Sequence, residues 1–300
     1  MLILIVGITG ALGRHLALAA FARNYTVRGL GRSPKSLAPD IESRLESFIE
    51  LQSYYDMATM ERACYGVDAI ICALRSTPEL ELDAQILLLR AAEKAGVKTF
   101  VASTWNNDWT RIQFGDWEHY DAHISFKRLA DMTSQINPVY LFIGTFAEYL
   151  YEFTCFPLQD KEDNSGKELT YWENPDMELD WTSMRDGSEF TLEILNKESV
   201  KQGEGGCFSF RSGVTSPKDL ALTYEKVKKI KVELVCGGSE TELEALAVAS
   251  RKDTAIKDYF IYAIYFYHLF ILRRSWSLVN LEDLPEIRRT SLEEVVAALE

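Results

Sequence analysis

The opening sixteen residues constrain the fold of this chain more than any other segment. An unbroken apolar run, Leu2-Ile3-Leu4-Ile5-Val6, gives way to Gly7-Ile8-Thr9-Gly10-Ala11-Leu12-Gly13, and a helix-like pattern continues from Arg14. Apolar residues without alternation read as a strand buried on both faces. Glycines where such a strand turns into a helix let bare backbone approach a ligand, and the helix N-terminus offers unpaired N–H groups to a negative charge. A pyrophosphate fits that description, so the segment predicts a dinucleotide site with Gly7, Thr9, Gly10, Ala11, Leu12 and Gly13 as contacts. The spacing Gly-x-x-Gly-x-x-Gly differs from Gly-x-Gly-x-x-Gly, and three glycines alone carry little weight. The weight comes from the strand before them, the helix after them, and a second β-like run, Tyr25 to Leu30, where a βαβ unit requires one.

The end of that second strand predicts which nucleotide is preferred. An acidic side chain there would hold the ribose 2′-hydroxyl of NAD and repel a 2′-phosphate. The chain instead reads Arg28-Gly29-Leu30-Gly31-Arg32-Ser33-Pro34-Lys35. Guanidinium, hydroxyl and ammonium groups suit a phosphate dianion. NADP(H) is therefore expected over NAD(H), with Arg32 as the principal clamp and Ser33 and Lys35 beside it.

Composition narrows the class of partner. The formal net charge of −13 opposes a broad basic face for nucleic acid, whose affinity depends on clustered Lys and Arg. Cys64, Cys72, Cys155, Cys207 and Cys236 form no Cys-x-x-Cys pair, and no His or Cys spacing suggests a metal site. The first apolar run is too short for a secretory leader. Ala255 to Leu272 is interrupted by Lys257, Asp258 and His268 below the length of a membrane span, and reads as a buried or pocket-lining aromatic helix. The expectation is a cytoplasmic protein with a small-molecule substrate, no nucleic-acid or membrane partner, no metal, and homo-oligomerisation left open.

Strand and helix signals alternate through the first half, the pattern of an α/β, Rossmann-type doubly wound parallel sheet. Strands are expected at Ser47 to Leu51, Val67 to Ala73, Thr99 to Ser103 and Val139 to Ile143. Helices are expected at Thr59 to Tyr65 led by Asp56, Leu82 to Ala95 closed by Gly96, and Tyr120 to Ser134. Beyond Tyr149 the rhythm changes, and Gln159 to Asn174 is polar. These shifts predict a nucleotide-binding domain over 1–150 and a smaller α+β substrate lobe over 151–300.

Several segments together resemble the NmrA-like and isoflavone-reductase-like atypical short-chain dehydrogenases. They are Gly7-x-Thr9-Gly10-x-Leu12-Gly13 with Arg14, Arg32-Ser33-Pro34, Gly66-Val67-Asp68-Ala69-Ile70-Ile71, and Ala95 to Trp105. Phe142-Ile143-Gly144-Thr145-Phe146 and the tail, Leu284 to Ile287 with Thr290 to Glu294, complete the set. The resemblance implies an NADP(H)-binding Rossmann lobe, with Ala73, Leu74, Ser103 and Thr104 adding cofactor contacts at the strand ends. It also implies one of two roles: hydride transfer to a bulky aromatic or natural-product substrate, or NADP-sensing regulation through partner proteins. A carbonyl, enone or iminium would suit such a cleft, and cyclisation or isomerisation of the product there is a further expectation.

The helix after Trp105 departs from the reductase pattern. Tyr120-Asp121-Ala122-His123-Ile124-Ser125-Phe126-Lys127 places His123 where those reductases carry a substrate-binding Lys. Lys127 follows four residues later, on the same helical face. Histidine can donate a proton near neutral pH, so His123 is the expected acid, with Lys127 in support. Asp108 and Asp116 are expected as solvated caps. Trp105, Trp109, Phe114, Trp117, Phe146, Tyr149, Tyr151 and Phe153 crowd the segments expected to border the cleft. Of these, Trp105, Phe146 and Tyr149 are the expected substrate contacts for a large flat ligand.

Overall fold

The computed structural model describes residues 1–152 and 155–299. Its centre is a seven-stranded parallel sheet. Strands β1 (Leu2–Val6), β2 (Thr26–Gly31), β3 (Ser47–Glu50), β4 (Ala69–Cys72), β5 (Thr99–Val101) and β6 (Val139–Phe142) lie in the order 3-2-1-4-5-6. Ile3, Leu4, Ile5 and Val6 are fully buried, since β1 is central and covered on both sides. Each such aliphatic side chain contributes ~1.5–3 kcal/mol on burial. Helices α1 (Ala11–Ala22), α2 (Pro39–Glu42), α3 (Met57–Cys64), α4 (Gln85–Ala95) and α5 (Glu118–Thr133) connect the strands. The Asp56 carboxylate accepts the Thr59 N–H at 3.1 Å to cap α3. Gly96 ends α4 at φ +75°, the left-handed terminus that favours glycine.

Two regions depart from the expected pattern. Before α4 the chain makes a π-helical turn over Glu79–Ala84, whose wider spacing brings Glu81 inside. The division near residue 150 is also not a clean one. The short β7 (Thr145–Phe146), β8 (Leu158–Asp160), β9 (Lys167–Tyr171) and β10 (Leu179–Thr182) lie outside the large sheet, but β11 (Gly206–Ser209) returns to it and pairs with β6. Helix α6 (Met184–Asn196) packs beside α1. The second half of the chain therefore completes one edge of the large sheet and one of its helical faces.

The rest of the second lobe comprises α7 (Glu198–Lys201), β12 (Gly213–Thr215), α8 (Pro217–Lys228), β13 (Val232–Cys236), α9 (Glu240–Asp253), α10 (Ala263–Leu272) and α11 (Leu292–Ala298). It forms two three-stranded sheets, β12-β10-β7 and β13-β9-β8. The aromatic stretch expected as one helix folds as a 3₁₀ turn, Ile256–Ile261, followed by α10.

Candidate active-site cleft

A cavity of about 700 Å³ opens at the carboxyl ends of the strands. Gly10, Ala11, Leu12 and Gly13 form one end, at the start of α1, and Ala73, Leu74, Ser103 and Thr104 form its floor. Gly7 lies beneath: at φ +81°, a Cβ there would sit 2.3 Å from the Ala73 carbonyl oxygen. At Gly13 a Cβ would sit 2.3 Å from the Gly7 oxygen and 2.7 Å from Ile8 Cα. These two glycines let strand, turn and helix meet, and they leave the first N–H groups of α1 facing open space. Gly10, at φ −77°, adopts a backbone open to any residue and is the N-cap.

The strand-end hydroxyls have structural partners. Ser103 Oγ donates to the Leu74 carbonyl at 3.0 Å, and its N–H donates to Gln85 Oε1 at 2.6 Å. Thr104 Oγ1 accepts the Leu141 N–H at 3.0 Å. They hold the floor together and present its surface to the cleft.

Arg32 and Lys35 are exposed just past β2, with Ser33 half-buried between them. Arg14 donates to the Ser36 carbonyl at 2.9 Å and ties this turn to α1. Glu50 lies opposite Gly31 on the neighbouring strand. Arg28 belongs to a different structure: it pairs with Glu46 at 3.0 Å and donates to the carbonyls of Ala63 and Tyr65, fastening β2 to α3. It is not available to a ligand phosphate. Gly7, Thr9, Arg32, Ser33 and Lys35 do not line the main cavity, so the expected cofactor residues divide between its glycine end and the turn beside it.

His123 lines the cavity and is 3% exposed. Its Nε2 lies 3.2 Å from Glu81 Oε1. Trp109 stacks on the ring, with centroids 5.5 Å apart at 16°. Lys127 is corrected by the structure. It shares a helical face with His123 but lies one turn farther from the strand ends, where its ammonium pairs with Asp131 at 2.7 Å near the surface. Four-residue spacing matches faces but not depth along the helix.

The cleft's aromatic wall also differs from expectation. Trp105, Trp117, Phe146 and Tyr149 line it. The indole N–H of Trp105 donates to Thr191 Oγ1 at 2.9 Å, which fixes the ring against α6. Trp109 lies behind His123, Phe114 is exposed, and Tyr151 packs on Tyr224 in the second lobe. Phe153 lies outside the described residues. Tyr120, Phe260, Ile264 and Tyr267 complete the wall, the last three from the aromatic stretch before and within α10. Burial pushes the hydroxyls of Tyr120 and Tyr267 well above their usual range, so both stay protonated. Tyr120 donates to Asn106 Oδ1 at 2.6 Å. Asp108 caps the Trp109–Arg111 turn as expected but is buried, whereas the exposed Asp116 closes the preceding turn by accepting the Gln113 N–H at 2.8 Å and caps no helix.

Sequence reasoning missed Glu81 because its depth comes from the π-helical turn. Burial opposes its charge, yet His123, His119 and Ser76 outweigh that and hold its carboxyl below the usual range. His119 also lines the cleft, where burial lowers its pKa to about 4. Among the described residues, no group of three His, Cys, Asp or Glu side chains could hold a metal ion, and no helix is long and apolar enough to cross a membrane.

His268, on the buried face of α10, yields a pH prediction. Burial lowers its pKa to about 4, outweighing the Cys155 carbonyl, 2.6 Å from Nε2, which favours the protonated ring. Above the unfolded value of 6.5 neither state is protonated and the site is silent. Between 6.5 and about 4 the unfolded chain alone takes the proton, so stability falls by roughly 3 kcal/mol. Denaturant titrations across this range should show the loss, and His268→Phe should flatten that part of the profile.

The comparisons with known proteins agree with this architecture. The NmrA-like family profile matches residues 1–257. The chain belongs to the NmrA-like family. Among solved structures it is similar to AtPrR2 with NADP+ and (+)pinoresinol, at 20% identity and a TM-score of 0.76, covering 98% of this chain and 97% of that one. It is equally similar to the leucoanthocyanidin reductase–NADPH complex from Vitis vinifera, at 20% identity and a TM-score of 0.76, covering 99% and 98%. An isoflavone reductase matches at 18% identity and a TM-score of 0.74, covering 98% of each chain. These likenesses establish the fold. No curated protein matches the sequence.

Proposed function

We propose that this NmrA-like protein is an NADP(H)-dependent reductase of a bulky aromatic or polycyclic small molecule. The observation that carries the proposal is continuity: the bare N-terminus of α1 and the imidazole of His123 line the same cavity. A cofactor seated on the glycine turn and a substrate against the aromatic wall would share one continuous space. The NADP+ and NADPH named in the similar complexes support the choice of cofactor.

The residues present fit that cofactor. A side chain at Gly7 or Gly13 would fill the space the turn needs, the α1 N–H groups can receive the pyrophosphate, and Arg32, Ser33 and Lys35, exposed or half-buried just past β2, would take a 2′-phosphate. When bound, NADPH supplies the hydride. His123, in the wall of the cavity, would give a proton to the substrate atom that gains negative charge. The aromatic wall excludes water and fixes a flat ligand, and the neutral tyrosines can orient its polar groups without removing its protons.

Calorimetric titration with NADPH and NADH tests the cofactor assignment. NADPH should bind about 10–100-fold more tightly, the worth of one charge-assisted phosphate contact. Arg32→Glu should abolish that margin. Equal affinity for both nucleotides in the unaltered chain would overturn the assignment. A panel of polycyclic enones, aldehydes and cyclic imines, followed by loss of nicotinamide absorbance, tests the reaction. Tight NADPH binding without turnover of any of them would favour a nucleotide-sensing regulator.

A further inference from the structure

Glu81 sits where an apolar residue would be cheaper. A buried carboxylate must be compensated by partners, and this one is 1% exposed in the wall of an aromatic cleft. Its position depends on the π-helical turn Glu79–Ala84, a local departure from α-helix that often accompanies functional sites. Its Oε1 faces His123 Nε2 and also accepts a hydrogen bond from Ser76 Oγ. Gln85 donates to the Glu81 carbonyl at 2.9 Å, and the Ser103 N–H donates to Gln85 Oε1 at 2.6 Å, so the turn is anchored to the cleft floor. Trp109 holds the His123 ring from one side.

This arrangement determines which nitrogen of the neutral ring carries hydrogen. A carboxylate only accepts, so Nε2 must donate to it, and Nδ1 is left as the bare nitrogen. His123 Nδ1 is buried and has no hydrogen-bond partner among the described residues, and the same holds for Glu81 Oε2 and His119 Nδ1. Such unmet polar atoms beside a cavity are what a ligand's polar group can satisfy.

We propose that Glu81 is the positioning residue of His123, holding the Nε2 proton so that the imidazole exchanges its proton with substrate through Nδ1. Glu81 also stabilises the imidazolium, as a carboxylate beside a catalytic histidine does. The step balances: imidazolium gives one proton from Nδ1 to the atom gaining negative charge, and neutral imidazole with its Nε2–H still on Glu81 remains. Solvent returns the proton before the next turnover. Glu81 itself stays ionised throughout and touches no reacting atom. The proposal rests on the reductase reading only for the role of His123 in turnover; the hydrogen-bond arrangement stands without it.

Long-range proton–nitrogen NMR of the full chain with NADP+ tests this, since only four histidines contribute signals. At pH 8 the neutral His123 ring should show hydrogen on Nε2 and a bare Nδ1. Glu81→Leu should erase that preference, while Glu81→Gln, whose amide oxygen can accept the same proton, should restore it. Hydrogen on Nδ1 in the unaltered chain, or an unchanged His123 signal in Glu81→Leu, would overturn the proposal. With any substrate that oxidises NADPH, Glu81→Gln should lower kcat about 10-fold or more with KM within about twofold. The pH at which its rate falls on the alkaline side should move down, because the charge favouring imidazolium is gone. His119 and Tyr120, which also face this ring, remain in both variants and cannot produce that difference. An unmoved pH profile and kcat in both variants would reduce Glu81 to a packing role. Absence of NADPH turnover in the unaltered chain would sink the reductase reading, and the imidazole spectrum would still decide the assignment of Glu81.

Discussion

Replacing His123 with Ala is expected to lower kcat about 10²–10⁴-fold, the usual contribution of a positioned proton donor. NADPH affinity should stay within about threefold, because the glycine turn and Arg32 are untouched and a loss confined to the chemical step appears in kcat. Lys127→Ala is the informative partner variant. Its ammonium is engaged with Asp131 near the surface, so turnover should remain within about twofold. Steady-state NADPH oxidation and calorimetry on the same preparations would check both. A large loss in Lys127→Ala, or retention of turnover in His123→Ala, would reverse the roles assigned to them.

Gly13→Ala should have the largest effect on the fold itself. The added carbon would lie 2.3 Å from one backbone atom and 2.7 Å from another, and neither belongs to a side chain that can swing away. Helix α1 would have to lift from β1, costing about 3 kcal/mol or more by denaturant titration and weakening NADPH at least about 100-fold. Gly10→Ala separates the two effects. There the backbone is ordinary and the single near neighbour, the Gly7 oxygen, is at 3.2 Å. Stability should change by less than about 1 kcal/mol, while the methyl group at the mouth of the turn should still reduce nucleotide affinity. Equal stability of Gly13→Ala and the unaltered chain would contradict the packing described for α1.

The nucleotide half was legible because its signals are local. Leu2 to Val6, the glycines after it and the alternation that follows each reflect a neighbouring backbone requirement, and the strands and helices fall within a few residues of their expected bounds. Gly96 announced its helix end for the same reason. The cleft's inner wall was less legible because it depends on depth and on distant segments. Glu81 looks like one acid among several in Glu79-Leu80-Glu81-Leu82-Asp83, and only the π-helical turn singles it out. A carboxylate set directly between Leu80 and Leu82 was the one available signal. Tyr267 and Phe260 reach the site from more than a hundred residues beyond Tyr149, and no pattern in either segment states that they meet. Lys127 failed for a geometric reason already visible in helix rise: one turn is about 5.4 Å, enough to move a charge from cleft to surface.

The strand Gly206–Ser209 has a practical consequence for anyone dissecting this molecule. It satisfies the outward row of peptide groups on β6, and its removal with everything after residue 150 would bare that row along with the apolar flank where α6 now lies against α1. An unpaired, water-facing strand margin recruits other chains. A fragment ending at 150 should therefore form oligomers through sheet-to-sheet joining even if its glycine turn folds correctly, whereas a circularly rewired chain that keeps Gly206–Ser209 in place should remain dispersed.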